Sequence, residues 1–236
     1  MTTTRTALVT GASRGIGAAT ARALAGAGMR VALVARGEQA LRKLAAALPH
    51  DPVVIIADLS APSAAGVVAA RAREAFGAEP DIVVHAAGNF PMAPFESLSD
   101  TVIAESFAIN AAAPLRLTRE VLAGMRARGS GHVVTIGSVV DRATFPSNAV
   151  YAASKHAARA MHETLRLETR GSGVRATLIS PAATDTTLWD AYAPDESPML
   201  PSRSEMLRPE DVADAVLWAV TRPAHVTIEE LRLARS

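Results

Sequence analysis

The sequence predicts a doubly wound α/β fold, a single parallel sheet of about seven strands with helices on both faces. Three observations predict it. Short, near-continuously apolar runs alternate with helical segments along the whole chain. A glycine-rich turn joins the first of these runs to the first helix. The 236 residues also lack a linker, a short-period repeat or a low-complexity tract, which suits one domain over residues 1–236.

The elements follow in order. Thr6–Thr10 reads as a short buried strand, and Ile16–Ala27 as an alanine-rich helix ended by Gly28. Val31–Ala35 is a second strand, Glu38–Leu48 a helix stopped by Pro49, Val53–Ala57 a third strand, and Ser63–Phe76 a helix. Asp81–Ala86 is the fourth strand; Leu98–Arg128 is a long helical stretch that Pro114 should bend or divide. After Gly129 and Gly131 come a fifth strand, His132–Gly137, and a helix, Ala149–Arg170, closed by Gly171 and Gly173. Val174–Ser180 is a sixth strand, Pro209–Thr221 the last helix and Val226–Leu233 the final strand. Residues 182–208, with Pro194, Pro198 and Pro201, form a long irregular insertion of the kind that serves as a functional lid.

Composition narrows the chemistry. With 49% apolar residues, 20% charged residues and a net charge of +1, nothing argues for nucleic acid or a membrane surface as partner. No run approaches the ~18 apolar residues of a membrane span, and the first residues lead directly into a strand, so a cytoplasmic protein acting on a small molecule is expected. There is no cysteine, which excludes disulfides, a thiolate nucleophile and sulfur-ligated metal. His50, His132, His156, His162 and His225 show no ligand spacing, so no metal site is expected. Redox chemistry would have to come from a bound cofactor.

The turn from Thr10 to Gly17 contains Gly11, Ser13, Arg14, Gly15 and Ile16, and it lies where a strand hands over to a helix. Glycines there let the backbone approach a pyrophosphate, and the helix N-terminus offers unpaired N–H groups and positive potential. The second strand ends on Arg36 rather than on an acid that would bond the ribose hydroxyls of NAD. Arg14 and Arg36 could flank a 2′-phosphate, so NADP(H) is expected over NAD(H).

Tyr151 and Lys155 stand four residues apart in a chain with two tyrosines and two lysines. On a helix this spacing puts both on one face. Bringing a phenol from pH ~10 to ~7 needs roughly 4 kcal/mol of preference for the phenolate. A nearby ammonium shifts it in that direction. An exposed helix pair worth a few tenths of a kcal/mol is the plainer reading.

Taken together, Thr10–Gly17, Ser138, Tyr151 and Lys155 resemble the short-chain dehydrogenase/reductase family over almost the whole chain. The resemblance implies a Rossmann-like domain whose catalytic residues are Asn110, Ser138, Tyr151 and Lys155. It implies cofactor contacts from the glycine turn, Asp58 and Leu59 after the third strand, and Ala86, Ala87 and Gly88 after the fourth. Asn110, Tyr151 and Lys155 would also touch the cofactor, as would Pro181, Ala182, Ala183, Thr184 and Thr186 after the sixth strand.

In the implied mechanism Tyr151 gives a proton to a carbonyl oxygen oriented by Ser138. Lys155 holds the nicotinamide ribose and lowers the Tyr151 pKa, while Asn110 positions a water through its helix backbone. A carbonyl reductase acting on a ketone or secondary alcohol is the leading reading. A lyase or epimerase, or a dinucleotide-sensing regulator, remains an alternative. The sequence departs from the family pattern at His85, where an asparagine is common and whose absence removes an amide brace, at Ala182, where glycine is frequent, and at the carboxyl end, which lacks a glycine-rich tail.

Phe90, Met92, Phe95, Leu188, Trp189, Tyr192, Met199 and Met206 are candidates for an apolar substrate pocket. No basic cluster argues for an acyl-carrier-protein thioester. The helices at 98–128 and 149–170 correspond to those the family often pairs between subunits, so a homodimer or homotetramer is expected.

Overall fold

The computed structural model describes residues 4–236. Seven strands, β1 (Thr6–Thr10), β2 (Arg30–Ala35), β3 (Val53–Ile56), β4 (Ile82–His85), β5 (Gly131–Ile136), β6 (Val174–Pro181) and β7 (Glu230–Leu233), form one sheet in the order β3-β2-β1-β4-β5-β6-β7. Every pairing is parallel. Helices α1 (Gly15–Gly26), α2 (Glu38–Ala46), α3 (Ala64–Phe76), α4 (Asp100–Phe107), α5 (Ala113–Arg128), α6 (Ala149–Glu168) and α7 (Pro209–Val220) cover it.

Alternation along the strands splits the core in two. Ala7, Val9, Val31 and Leu33 point to the face where they meet Ala18, Leu24, Leu41, Val212 and Val216 of α1, α2 and α7. Leu8, Ala32 and Val34 point to the other, against Val68, Ala69, Leu117, Val121 and Met125 of α3 and α5. Strands buried on both faces read as continuous apolar runs, which is why their positions were visible in the sequence. The chain winds outward from β1 to β3, then crosses back to start again at β4. Between β1 and β4 the sheet therefore has its switch point, where a crevice opens beyond the strand ends.

Most boundaries agree with the sequence reading to within a residue or two. The long helical stretch differs. It is divided before Pro114 rather than at it, by a π-helical turn at Ala108–Ala112. Pro114 then falls at the second position of α5, where a missing N–H costs nothing. β7 is shorter than expected: residues 226–229 are not strand, although the carbonyls of Val226, Ile228 and Glu229 accept from Arg175, Thr177 and Leu178 of β6. The insertion is closed on itself: Thr184 bridges to Leu207, and Arg203 binds both Asp185 and Asp190. Among the described residues no helix is long and apolar enough to cross a membrane.

Candidate active site

A cavity of about 1360 Å³ runs along the carboxyl ends of the strands, past the switch point and beneath the insertion. Its lining includes Gly11, Ser13, Arg14, Gly15, Ile16 and Gly17 from the turn after β1, Arg36 after β2, and Asp58 and Leu59 after β3. Ala86, Ala87 and Gly88 follow β4, Ser138 follows β5, Tyr151 and Lys155 come from α6, and Pro181, Ala182, Ala183, Thr184 and Thr186 close the far side. Small-molecule pockets commonly occupy ~300–1,000 Å³, so there is space for two ligands side by side.

The turn is shaped by contacts only glycine allows. Gly11 has φ +67°, and a Cβ on Gly17 would run into the Gly11 carbonyl. Thr10 Oγ1 accepts from the Ala86 and Ala87 N–H groups at 3.0 and 3.1 Å, stapling β1 to the end of β4 at the switch point. Arg14 precedes α1 in an extended conformation without capping it, and the first turn carries no acid. Its N–H groups are left for an anion. Arg14 and Arg36 are exposed at this end. The Asp58 carboxyl is held below its usual range by its hydrogen bonds to Ser60, with a smaller contribution from Arg36. Uncovered helix N–H groups, close backbone approach and two guanidiniums fit a dinucleotide with an extra phosphate on its ribose.

At the other end, α6 presents Tyr151 and Lys155 one turn apart, with Lys155 Nζ 5.8 Å from the Tyr151 ring centre. Lys155 is buried, and Nζ donates to the Ile136 carbonyl at 2.9 Å. Burial pushes this amine down to about 8, opposed by the Asp141 carboxylate. Burial pushes the Tyr151 phenol up to about 12; the neighbouring Ser138 hydroxyl pulls it down and Asp141 adds to the rise. This corrects the expectation that the ammonium brings the phenol near pH 7. Desolvation is the largest cause, and it outweighs the Ser138 hydroxyl; the Lys155 ammonium is engaged by a backbone carbonyl. The phenol is protonated at neutral pH, the form that can donate.

Asn110 stands apart. Its side chain is absent from the cavity lining: Oδ1 accepts from Asn89 N, while Nδ2 donates to the Asn89 carbonyl, to Asn89 Oδ1 and to Ser154 Oγ. Ser154 Oγ in turn donates to the Tyr151 carbonyl at 2.8 Å. Asn110 thus links the strand end to α6. Its backbone sits in the π turn, and Pro114, four residues on, has no N–H to offer its carbonyl. The amides missing at positions 85 and 86 are not replaced in the sheet; the nearest amide after β4, Asn89, bonds Asn110. His85 instead faces α5, with Nε2 2.8 Å from Thr118 Oγ1, and burial pushes it down to about 3.

Sequence reading missed Asp141. This carboxylate is 1% exposed, and its Oδ2 accepts from Ser138 N at 3.2 Å and from Ser180 Oγ at 2.5 Å. Arg142 reaches Asp141 Oδ1 at 3.3 Å and Glu230 of β7 at 2.5 Å. A Cβ on Gly137 would lie 2.5 Å from Asp141 Oδ2, so the glycine makes room for the acid. The signal was present as a serine followed three residues later by an acid, the pattern of a capping box.

The apolar candidates divide. Phe90, Met92, Leu188, Trp189 and Met199 line the cavity. Phe90 packs edge-on to Tyr151 at 4.7 Å and against Trp189 at 4.8 Å. Phe95 is 78% exposed and Met206 is buried in the body, and neither lines the cavity. Tyr192 is a strut: its hydroxyl donates to the Phe90 carbonyl at 2.8 Å and accepts from Met92 N at 2.9 Å, tying the insertion to the loop after β4. Among the described residues no cluster of three or more His, Cys, Asp or Glu could hold a metal ion.

Comparison with known proteins places the chain. The short chain dehydrogenase family model matches residues 5–197. A glycine betaine reductase of Emericella nidulans is 37% identical over 96% of this chain, which spans 18% of that protein's length. An alcohol dehydrogenase from the archaeon Thermococcus sibiricus, solved with 5-hydroxy-NADP, superposes with a TM-score of 0.88 at 31% identity, covering 99% of this chain and 97% of that one. A metagenomic short-chain oxidoreductase solved with NADP gives a TM-score of 0.84 at 29% identity, with 98% and 97% covered. The chain belongs to the short-chain dehydrogenase family of oxidoreductases.

Proposed function

We propose that this member of the family is an NADP(H)-dependent carbonyl reductase, interconverting a moderately apolar ketone and its secondary alcohol, with residues 1–236 acting as one domain. The observation that carries the reading is a single cavity with a phosphate-ready turn and two arginines at one end and Ser138, Tyr151 and Lys155 at the other. The solved relatives bound to NADP and an NADP analogue support the choice of cofactor.

When bound, the nicotinamide supplies the hydride that carbonyl reduction consumes. The turn after β1, Arg14 and Arg36 would hold the dinucleotide's phosphates, and Asp58, Leu59, residues 86–88 and Pro181 to Thr186 would complete its site. Ser138 hydrogen-bonds the carbonyl oxygen and Tyr151 donates its proton to it as charge develops there. Lys155 holds ribose hydroxyls and, positively charged, steadies the phenolate left behind. Asn110, in the π turn, would position through its backbone the water that returns a proton through Lys155. In alcohol oxidation the same groups work in reverse.

A carbonyl panel with NADPH and NADH, followed at the reduced-nicotinamide absorbance band, tests this directly. Ketone-dependent oxidation with NADPH preferred is expected. Tyr151→Phe should keep NADPH binding while turnover falls by ~10²–10⁴, the scale of general acid–base catalysis. Wild-type turnover by that variant would sink the assignment.

A further inference from the structure

One polar side chain in the wall of the cavity near Tyr151 keeps an unpaired oxygen. Asn148 lines the cavity, is 7% exposed, and its Oδ1 lacks any hydrogen-bond partner. An asparagine just before a helix ordinarily turns its side chain onto the first N–H groups. Asn148 precedes α6 without making that bond. Its backbone is nonetheless fixed: the N–H donates to the Phe145 carbonyl at 3.3 Å, and the carbonyl accepts from Ala152 N at 2.8 Å. Ser147 before it has φ +61°, a left-handed conformation that serine rarely takes, and its carbonyl accepts from Ala93 N at 2.9 Å. A rigid backbone therefore holds, in the cavity wall, an amide whose Oδ1 is closed off and unpaired, so that only a turn of the side chain can bring that oxygen to a ligand.

We infer that Asn148 determines specificity by hydrogen-bonding a hydroxyl on the carbon next to the substrate carbonyl, so that the preferred substrate is a 2-hydroxyketone or the matching vicinal diol. The inference rests on the ketone–alcohol reading above. Asn148 and Tyr151 are three residues apart, and side chains at that spacing on a helix start about 5–6 Å from each other. A carbonyl oxygen at the phenol then leaves the neighbouring carbon's substituent within reach of the amide. A hydroxyl both donates and accepts, and a half-turn of the terminal torsion lets the amide present either its oxygen or its NH₂. An acidic substituent would be poorly served. The cavity's arginines, Arg14 and Arg36, stand at the opposite end, while Phe90, Met92, Phe145 and Trp189 make this end apolar.

The test uses matched pairs of 2-hydroxyketones and their deoxy analogues, in several sizes, with NADPH. In the wild-type protein kcat/KM should favour the hydroxyketones by about 10-fold, the scale of one satisfied buried hydrogen bond. Asn148→Leu should bring that ratio to about one, with Tm held or raised because a buried unsatisfied amide is gone. Asn148→Ala, which adds no bulk, should move the ratio in the same direction. A wild-type protein that does not discriminate, or variants that retain the ratio, would overturn the role of Asn148 and leave the ketone–alcohol reading intact. Absence of turnover with every carbonyl would overturn both.

Discussion

The turns after β1 and β5 occupy equivalent places at the carboxyl edge of the sheet, yet they are held by opposite means. The first, residues 10–17, is shaped by backbone: a left-handed Gly11, a Gly17 with no room for a side chain, and one threonine hydroxyl bonding two N–H groups of the neighbouring strand. The second, residues 137–142, is built around a buried carboxylate that clamps Ser138 N and Ser180 Oγ and is reached by Arg142. Shape is indifferent to pH and to charge. A carboxylate removed from water is stable only while its donors remain, so the same edge of one sheet carries one robust turn and one conditional one.

The largest effect expected is that of acid, and it acts outside both turns. His85, His132 and His162, on β4, β5 and α6, are buried and pushed down to about 3, 3 and 4, with desolvation the largest cause for each. Below the ordinary histidine value of ~6.5 the unfolded chain binds protons that the folded chain refuses, so stability falls as pH falls and levels off only beneath the folded values. At pH 5 the three together should cost several kcal/mol, about 2 each. The measurement is urea unfolding between pH 7 and 4.5, with His85→Gln flattening the slope. Stability that stays constant over this range would show these histidines to be charged or accessible.

Charge can be removed from the β5 turn without acid. Asp141→Ala leaves Ser138 N, Ser180 Oγ and Arg142 without their shared acceptor, and should cost about 3 kcal/mol by denaturant unfolding. Because Asp141 helps keep the Tyr151 phenol and the Lys155 ammonium protonated, the pH profile of turnover should shift to lower pH as well. An unmoved profile would reduce Asp141 to a structural support. The first turn has only space to lose. Gly17→Ala forces a methyl against the Gly11 carbonyl and should cost about 2 kcal/mol. Its penalty should be independent of pH and accompanied by weakened NADPH binding, measured by fluorescence titration. A pH-dependent penalty would collapse the distinction between the turns.

How much of this was legible depended on the range over which each feature is set. The strands, the glycine turn and the spacing of Tyr151 and Lys155 could be read directly, because strand burial, positive φ and helical periodicity are written in adjacent residues. Pro114 announced a break but not its place: the π turn lies before it, at the residue whose side chain reaches Asn89 and Ser154. Half-legible too were the apolar residues of the insertion, where Met199 and Tyr192 look alike in sequence and only contacts make one a wall and the other a strut.

By itself, then, the sequence determined the alternating fold, the glycine turn and the placing of a phenol and an amine on one helix face, all consequences of local backbone chemistry. Tertiary structure alone decided the electrostatics. Asp141 meets Ser180 across 39 residues, Asn110 meets Asn89 across 21, and the phenol's pKa is governed by how completely its surroundings exclude water. Desolvation depends on everything packed around a group, and no spacing along a chain encodes it.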